Sequence, residues 1–236
     1  MPYLKRAATP RVEVEAVMTE AAPTSIEAVI WDFGGVFTTS PFDAFNRYEN
    51  ERGLPNDIIR RINSVNPDNN AWARLERSEL APAEFDAAFL GEAREFGLSI
   101  PGRDVLALLS GDLRPRVVEA FKACKSKFKV GCITNNASTG KGAGMSSSAH
   151  KAQQVAEVFS LFDRVIESSK AGVRKPDPRI YRMMCDALGV TPNACVYLDD
   201  LGINLKPARE MGMTTIKVMS EDQLLGDLSK ATGLAF

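Results

Sequence analysis

Short apolar runs alternate with helix-length amphipathic segments from Ser25 onward, and this alternation restricts the fold more than any other feature of the chain. Ala28–Trp31, Lys129–Thr134, Arg164–Glu167, Cys195–Leu198 and Thr214–Val218 read as strands. Helices are predicted over Arg116–Lys125, Ala149–Phe159, Pro178–Leu188, Leu205–Met211 and Glu221–Lys230. Strands separated by helices imply right-handed crossovers, hence an α/β fold around a parallel sheet.

One interval breaks the rhythm. Between the first two strands lies an insertion from Pro41 to about Asp112. Its pattern is helical at Phe42–Arg52, Asn56–Asn63, Asn70–Arg77 and Ala81–Glu95. Such a segment is too long for a plain crossover. The expected organisation is a flexible N-terminal extension over 1–24, a core built from 25–40 and 113–236, and a helical cap over 41–112. The insertion leaves the chain a few residues after Asp32, which favours a cap that closes over that strand end. The plainer alternative is a set of helices thickening one face of the core. The extension lacks the apolar stretch of a secretory signal, and Met18 opens a more compact candidate start. The small polar stretch Ala137–Ser148 reads as a loop and lacks the residue order of a phosphate-binding P-loop.

Composition narrows the function. A chain of 236 residues, 44% hydrophobic and 25% charged, suits one domain with a small accessory unit. The net charge of -1 gives no basic field for nucleic acid or an anionic membrane surface. No run approaches the roughly 18 apolar residues that a membrane span needs. Cys124, Cys132, Cys185 and Cys195 are scattered without a C-x-x-C pair, and Cys132 and Cys195 lie in apolar runs. Buried free thiols point to a reducing, cytoplasmic compartment. His150 is the only histidine, which excludes a His-rich zinc site and leaves one candidate for any Ser-His-Asp triad.

Polar residues gather where the strands end. Asp32 follows the first strand and enters Phe33-Gly34-Gly35; Thr134-Asn135-Asn136 closes the second; Asp199-Asp200 closes the fourth. Lys175 stands in Arg174-Lys175-Pro176-Asp177-Pro178, just before a helix. Each has an ordinary reading. Asp199 or Asp200 can cap a helix, Asp177-Pro178 looks like an N-cap followed by Pro at N1, Thr134 can close a turn, and Lys175 can be a solvated charge. A parallel sheet nevertheless brings all of them to one edge. Three crowded carboxylates raise one another's pKa, which a hard divalent cation relieves. A lysine and a hydroxyl then suit phosphate oxygens, and a carboxylate can serve as a nucleophile.

Together these motifs resemble those of the haloacid dehalogenase-like (HAD) hydrolases, over about Ile26 to Ser220. Val29-Ile30-Trp31-Asp32-Phe33-Gly34-Gly35 matches the first motif, Cys132-Ile133-Thr134-Asn135 the second, and Arg174-Lys175-Pro176 the third. Leu198-Asp199-Asp200-Leu201-Gly202-Ile203-Asn204 matches the fourth, and looks especially like the N-terminal phosphatase domain of soluble epoxide hydrolases. The resemblance implies a Rossmann-like core with helices on both faces and a small helical cap. It implies Asp32 as nucleophile, with Asp32, the Gly34 carbonyl and Asp200 holding Mg²⁺. Asp199 and Asn204 would support from behind. Thr134, the Asn135 backbone N–H and Lys175 would bind the phosphate of a small phosphorylated substrate. The Thr38–Pro41 stretch would be the hinge. Trp72, Arg74, Phe85 and Phe89 on the insertion are candidate substrate contacts, insertion core or solvated surface.

The chain departs from the family at Gly34, where family phosphatases carry a second Asp as general acid–base. Asp43 and His150 are candidate replacements. Three readings follow: a Mg²⁺-dependent phosphatase, slow for want of that acid; a dehalogenase-type hydrolase; or a domain that binds a phosphorylated ligand or partner without turnover. Asp199-Asp200 favours the first, and Phe33-Gly34-Gly35-Val36 does not match the usual dehalogenase pattern.

Overall fold

The computed structural model describes residues 25–136 and 148–236. The expected 1–24 extension, the Met18 start and nearly all of the Ala137–Ser148 loop lie outside the described residues. Five parallel strands form one sheet: β1 (Ala28–Trp31), β2 (Lys129–Thr134), β3 (Arg164–Glu167), β4 (Cys195–Asp199) and β5 (Thr214–Lys217), in the order β3-β2-β1-β4-β5. The chain steps outward from β1 to β3, then crosses to the other side of β1 for β4 and β5. The progression therefore reverses between β1 and β4, and the crevice at such a switch point is where open α/β sheets bind ligands.

The insertion carries α1 (Pro41–Glu51), α2 (Ile58–Ser64), α3 (Ala71–Glu76), α4 (Pro82–Glu95) and α5 (Gly102–Ala107). The core carries α6 (Pro115–Lys125), α7 (Ala149–Phe159), α8 (Ser168–Ala171), α9 (Pro178–Leu188), α10 (Gly202–Glu210) and α11 (Glu221–Thr232).

β1 is buried throughout, so it is apolar at every position rather than at alternate ones. Its pleat still sorts the side chains. Val29 and Trp31 join α6, α7 and α11 on one face; Ala28 and Ile30 join α9 and α10 on the other. Helix α9 shows how sequence fixes this packing. Ile180, Tyr181, Met184, Cys185 and Leu188 recur on one buried stripe. Asp177 caps its start by accepting from Arg179 N, and Gly189 ends it in the left-handed region. A Cβ on Gly131 of β2 would lie 2.5 Å from Met184 Sδ, so glycine there lets α9 press against the sheet.

The insertion has its own hydrophobic cluster, built around Phe45, Ile58, Ile59, Phe85, Phe89 and Ile100. Phe85 and Phe89 are fully buried in it, so these candidate substrate contacts are insertion core. Buried Glu49 accepts from Asp57 N and Ile59 N and so caps α2, whose own N-cap residue makes no side-chain capping bond. The two ends of the insertion are paired on the core: Thr38 bridges Leu113, Thr39 N donates to Asp112 O at 2.9 Å, and Arg114 N donates to Phe37 O at 2.7 Å. The expected hinge is thus half of a short ribbon.

Three expectations need correction. Helix α10 starts at Gly202 rather than Leu205, because Gly202 and the internal Pro207 disguise its first turns. Helices α5 and α8 are too short to carry a period, and no sequence pattern marks them. Two strand ends shift by one residue: β4 extends to Asp199, and β5 stops at Lys217.

Candidate active site

The parallel register brings the predicted residues to one edge of the sheet. Trp31 pairs with Leu198 on one side and Cys132 on the other, so Asp32, Asp199-Asp200 and Thr134-Asn135 all emerge together around the switch point. Asp32 N donates to Leu198 O at 2.8 Å, continuing the ladder one residue beyond β1.

Lys175 is the centre of the arrangement. Its Nζ lies 2.8 Å from Asp32 Oδ1 and 2.8 Å from Asp199 Oδ2, and its side chain is 1% exposed. The surface-charge reading of Lys175 is therefore wrong. Burial alone would lower the ammonium's pKa, but Asp199 and Asp32 outweigh it and hold the lysine charged, above its ordinary range. The backbone at Lys175 is fixed as well. Asn135 Nδ2 donates to Lys175 O at 3.0 Å, and Lys175 N donates to Asn135 Oδ1 at 2.9 Å.

The three aspartates have different environments. Asp199 is fully buried and accepts from Lys175, Leu201 N, Asn204 Nδ2 and Tyr197 OH. Those bonds occupy both of its oxygens, which fits a supporting role for Asp199 and for Asn204. Asp32 also accepts from Phe33 N, at 2.6 Å. Its pKa is raised well above the usual carboxylate value, first by burial and then by Asp199 and Asp200, against the pull of Lys175. Asp200 is pushed up to about 7 by burial and by Asp199. One oxygen from each of the three lies within 4.8 Å of the other two. Excess buried negative charge of this kind suits a hard divalent cation, and Asp32 and Asp200 retain the donor capacity that Asp199 has spent.

The two adjacent glycines are not equivalent. Gly35 has φ +72, and a Cβ there would stand 2.1 Å from Asp200 Oδ2. Only glycine lets the Asp200 carboxylate rest against this turn. Gly34 is exposed, and a Cβ on it would meet no atom within 4 Å. The position of the missing acid is thus open space. Asp43 and His150 are both exposed, on α1 and α7. Thr134 is buried at the end of β2, opposite Glu167 of β3. On the insertion, Arg74 is half-buried and Trp72 donates through Nε1 to Glu76 Oε1 at 2.9 Å.

Three participants were missed. Tyr197 donates to Asp199. The strand period could have found it, because residues two apart on β4 share a face. The Asn135 side chain clamps Lys175, whereas the family resemblance implies a role for its backbone alone. Arg114 Nη1 donates to Gly35 O at 3.0 Å and to Val36 O at 3.4 Å, a contact 79 and 78 residues away in sequence that no local pattern announces.

Comparison with known proteins agrees with this geometry. The family model described as haloacid dehalogenase-like hydrolase matches residues 26–212. The chain is 38% identical over 227 residues to bifunctional epoxide hydrolase 2 of Rattus norvegicus, covering 90% of this chain and 40% of that protein. It thus spans about two fifths of the length of that relative, as of the Sus scrofa protein of the same name, of which it covers 39%. It is 32% identical over 225 residues to phosphatase MT3486 of Mycobacterium tuberculosis, covering 87% of this chain and 94% of that one. Among solved structures, a HAD family enzyme of Bacteroides thetaiotaomicron in complex with magnesium and inorganic phosphate superposes with TM-score 0.55 at 18% identity, covering 84% of this chain and 96% of that one. The family model spans residues 26–212, the likeness to a phosphatase covers most of both chains, and the parallel-sheet fold is shared: this chain is a hydrolase belonging to the haloacid dehalogenase-like family.

Proposed function

We propose that the protein is a Mg²⁺-dependent phosphatase that cleaves a small phosphate monoester through a phosphorylated Asp32. The observation that carries this reading is the buried Lys175 held between Asp32 and Asp199, with Asp200 beside them. A cation held by Asp32, Asp200 and the Gly34 carbonyl would supply positive charge against the phosphate oxygens. Lys175 orients Asp32, keeps its oxygen available as an anion and offers its ammonium to the transferring group. Thr134 and the Asn135 N–H donate to the remaining phosphate oxygens. In the first step an Asp32 oxygen bonds to phosphorus and the ester oxygen leaves with the bonding pair. In the second, water attacks phosphorus and Asp32 is released.

Neither step has a side-chain acid or base at position 34. General acid–base help is worth about 10²–10⁴-fold, so esters with poor leaving groups react slowly. The separate hydrophobic cluster of the insertion supports its reading as a cap over 41–112 on the core of 25–40 and 113–236. The four buried, unpaired thiols support a reducing, cytoplasmic setting. Neither the net charge nor any described helix suits nucleic acid or a membrane span.

The test is hydrolysis of an aryl phosphate by wild type, Asp32→Asn and Gly34→Asp, with and without Mg²⁺. The expected result is Mg²⁺-dependent turnover, abolished in Asp32→Asn. Gly34→Asp, whose Cβ enters open space, should raise turnover of alkyl esters above wild type. Wild type inert toward phosphates but active on a 2-haloacid would replace the phosphatase reading with carbon–halogen hydrolysis.

A further inference from the structure

The insertion touches the core at a second place, away from its paired linkers, and the residues there lead directly to the phosphate-binding loops. Glu76, at the end of α3, is buried. Its Oε2 lies 2.6 Å from Arg174 Nε, and its Oε1 accepts from Trp72 Nε1 at 2.9 Å. Arg174 immediately precedes Lys175, and its Nη1 also donates to Pro67 O of the insertion at 3.0 Å. The Glu76 backbone forms the other link. Its carbonyl accepts from Ser168 Oγ at 2.8 Å, and that hydroxyl in turn accepts from Asn136 N at 3.0 Å. Asn136 follows Thr134-Asn135, the other phosphate-binding segment. One residue of the insertion thus reaches both segments, by its carboxylate toward Lys175 and by its carbonyl toward β2.

We propose that Glu76 is a positioning residue for the phosphate site: through Arg174 it fixes the backbone that presents Lys175, and through Ser168 it braces the turn after Thr134. These contacts hold helix α3 against the core beside the site. The physical logic is that of a buried ion pair. Arg174 cannot leave Glu76 without stranding a buried carboxylate, so the segment carrying Lys175 has one position instead of several. The functional consequence rests on the phosphatase reading above, whereas the positioning itself does not.

Two readouts separate the two. The first is amine labelling of the folded protein, mapped by mass spectrometry. Lys175 should be protected in wild type and labelled several-fold faster in Glu76→Gln, with other lysines unchanged. The doubly neutral variant E76Q/R174Q removes both charges and serves if Glu76→Gln fails to fold. Unchanged protection of Lys175 in a folded variant overturns the proposal. The second is aryl-phosphate kinetics in a double-mutant cycle. Glu76→Gln should lower kcat/KM at least tenfold, and this loss should shrink toward none in a Lys175→Ala background. An equal loss in both backgrounds, or none in either, overturns the route through Lys175. A wild type without phosphatase activity sinks the functional reading alone, because the labelling result still decides whether Glu76 positions Lys175.

Discussion

At the scale of single residues, the site is built by crowding like charges around one cation. Three carboxylates share one buried lysine, so the arrangement is under electrostatic load. Asp32 bears much of it, since burial and the other two aspartates favour its neutral form. Replacing it with neutral, isosteric Asn should abolish turnover and at the same time raise the Tm of the Mg²⁺-free protein. A lower Tm would mean that the Lys175–Asp32 pair stabilises more than the repulsion costs. The glycine pair gives a second, sharper contrast. Gly35→Ala forces a left-handed backbone on alanine, at about 1–2 kcal/mol, and drives a methyl into the Asp200 carboxylate. It should weaken Mg²⁺ binding tenfold or more by titration calorimetry, whereas Gly34→Ala, one position away, should leave the affinity nearly unchanged. Equal effects of the two would show that Asp200 does not rest on Gly35.

At the scale of elements, what holds the turn after Asp32 still is aromatic packing. Phe33 stacks on Phe159 of α7 at 4.3 Å between ring centroids and on Phe37 at 5.4 Å. Phe37 also meets Trp31, Phe121 and Phe162. The Gly34-Gly35 turn is therefore clamped by rings on both of its flanks. Phe37→Ala should cost about 3–5 kcal/mol in urea unfolding, as a large core truncation does. It should also lower kcat, because Asp32 and Asp200 meet across that turn. A stability loss without any loss of activity would show that the turn holds its shape unaided. Strands and long helices were legible because each depends on its own pattern: α7 and α9 run Ala149–Phe159 and Pro178–Leu188 as read from their apolar stripes and caps. Asp32, Thr134 and Asp199-Asp200 were legible because strand ends announce them, and Lys175 because it stands just before a helix. What escaped was contact across the chain. Glu76 with Arg174, Arg114 with Gly35 O, and Ser168 with Glu76 O are separated by 79 to 98 residues or joined through short helices, and no window of sequence contains both partners.

At the scale of the whole molecule, the same charge crowding makes stability depend on pH in a direction opposite to ordinary acid denaturation. A paired surface carboxylate has a lowered pKa and stabilises the fold as pH rises. Asp200 instead sits near 7, raised by burial and by Asp199, against an ordinary value of 3.8. The folded state then holds this proton more tightly than the unfolded chain does. Its contribution is fully present below pH 3.8 and is lost as pH rises toward and through about 7. Asp32, raised in the same direction, adds to the trend. In Mg²⁺-free buffer the Tm should therefore fall between pH 5 and pH 8. Saturating Mg²⁺ should flatten or reverse that slope, since a cation binds the ionised carboxylates and stabilises the folded state by mass action. Asp200→Asn should flatten it without the cation. A Mg²⁺-free Tm that rises over this range in wild type, and equally in Asp200→Asn, would mean that the carboxylates already find enough positive charge within the protein. The crowded edge of the sheet would then be a balanced polar core and not a cradle waiting for a metal.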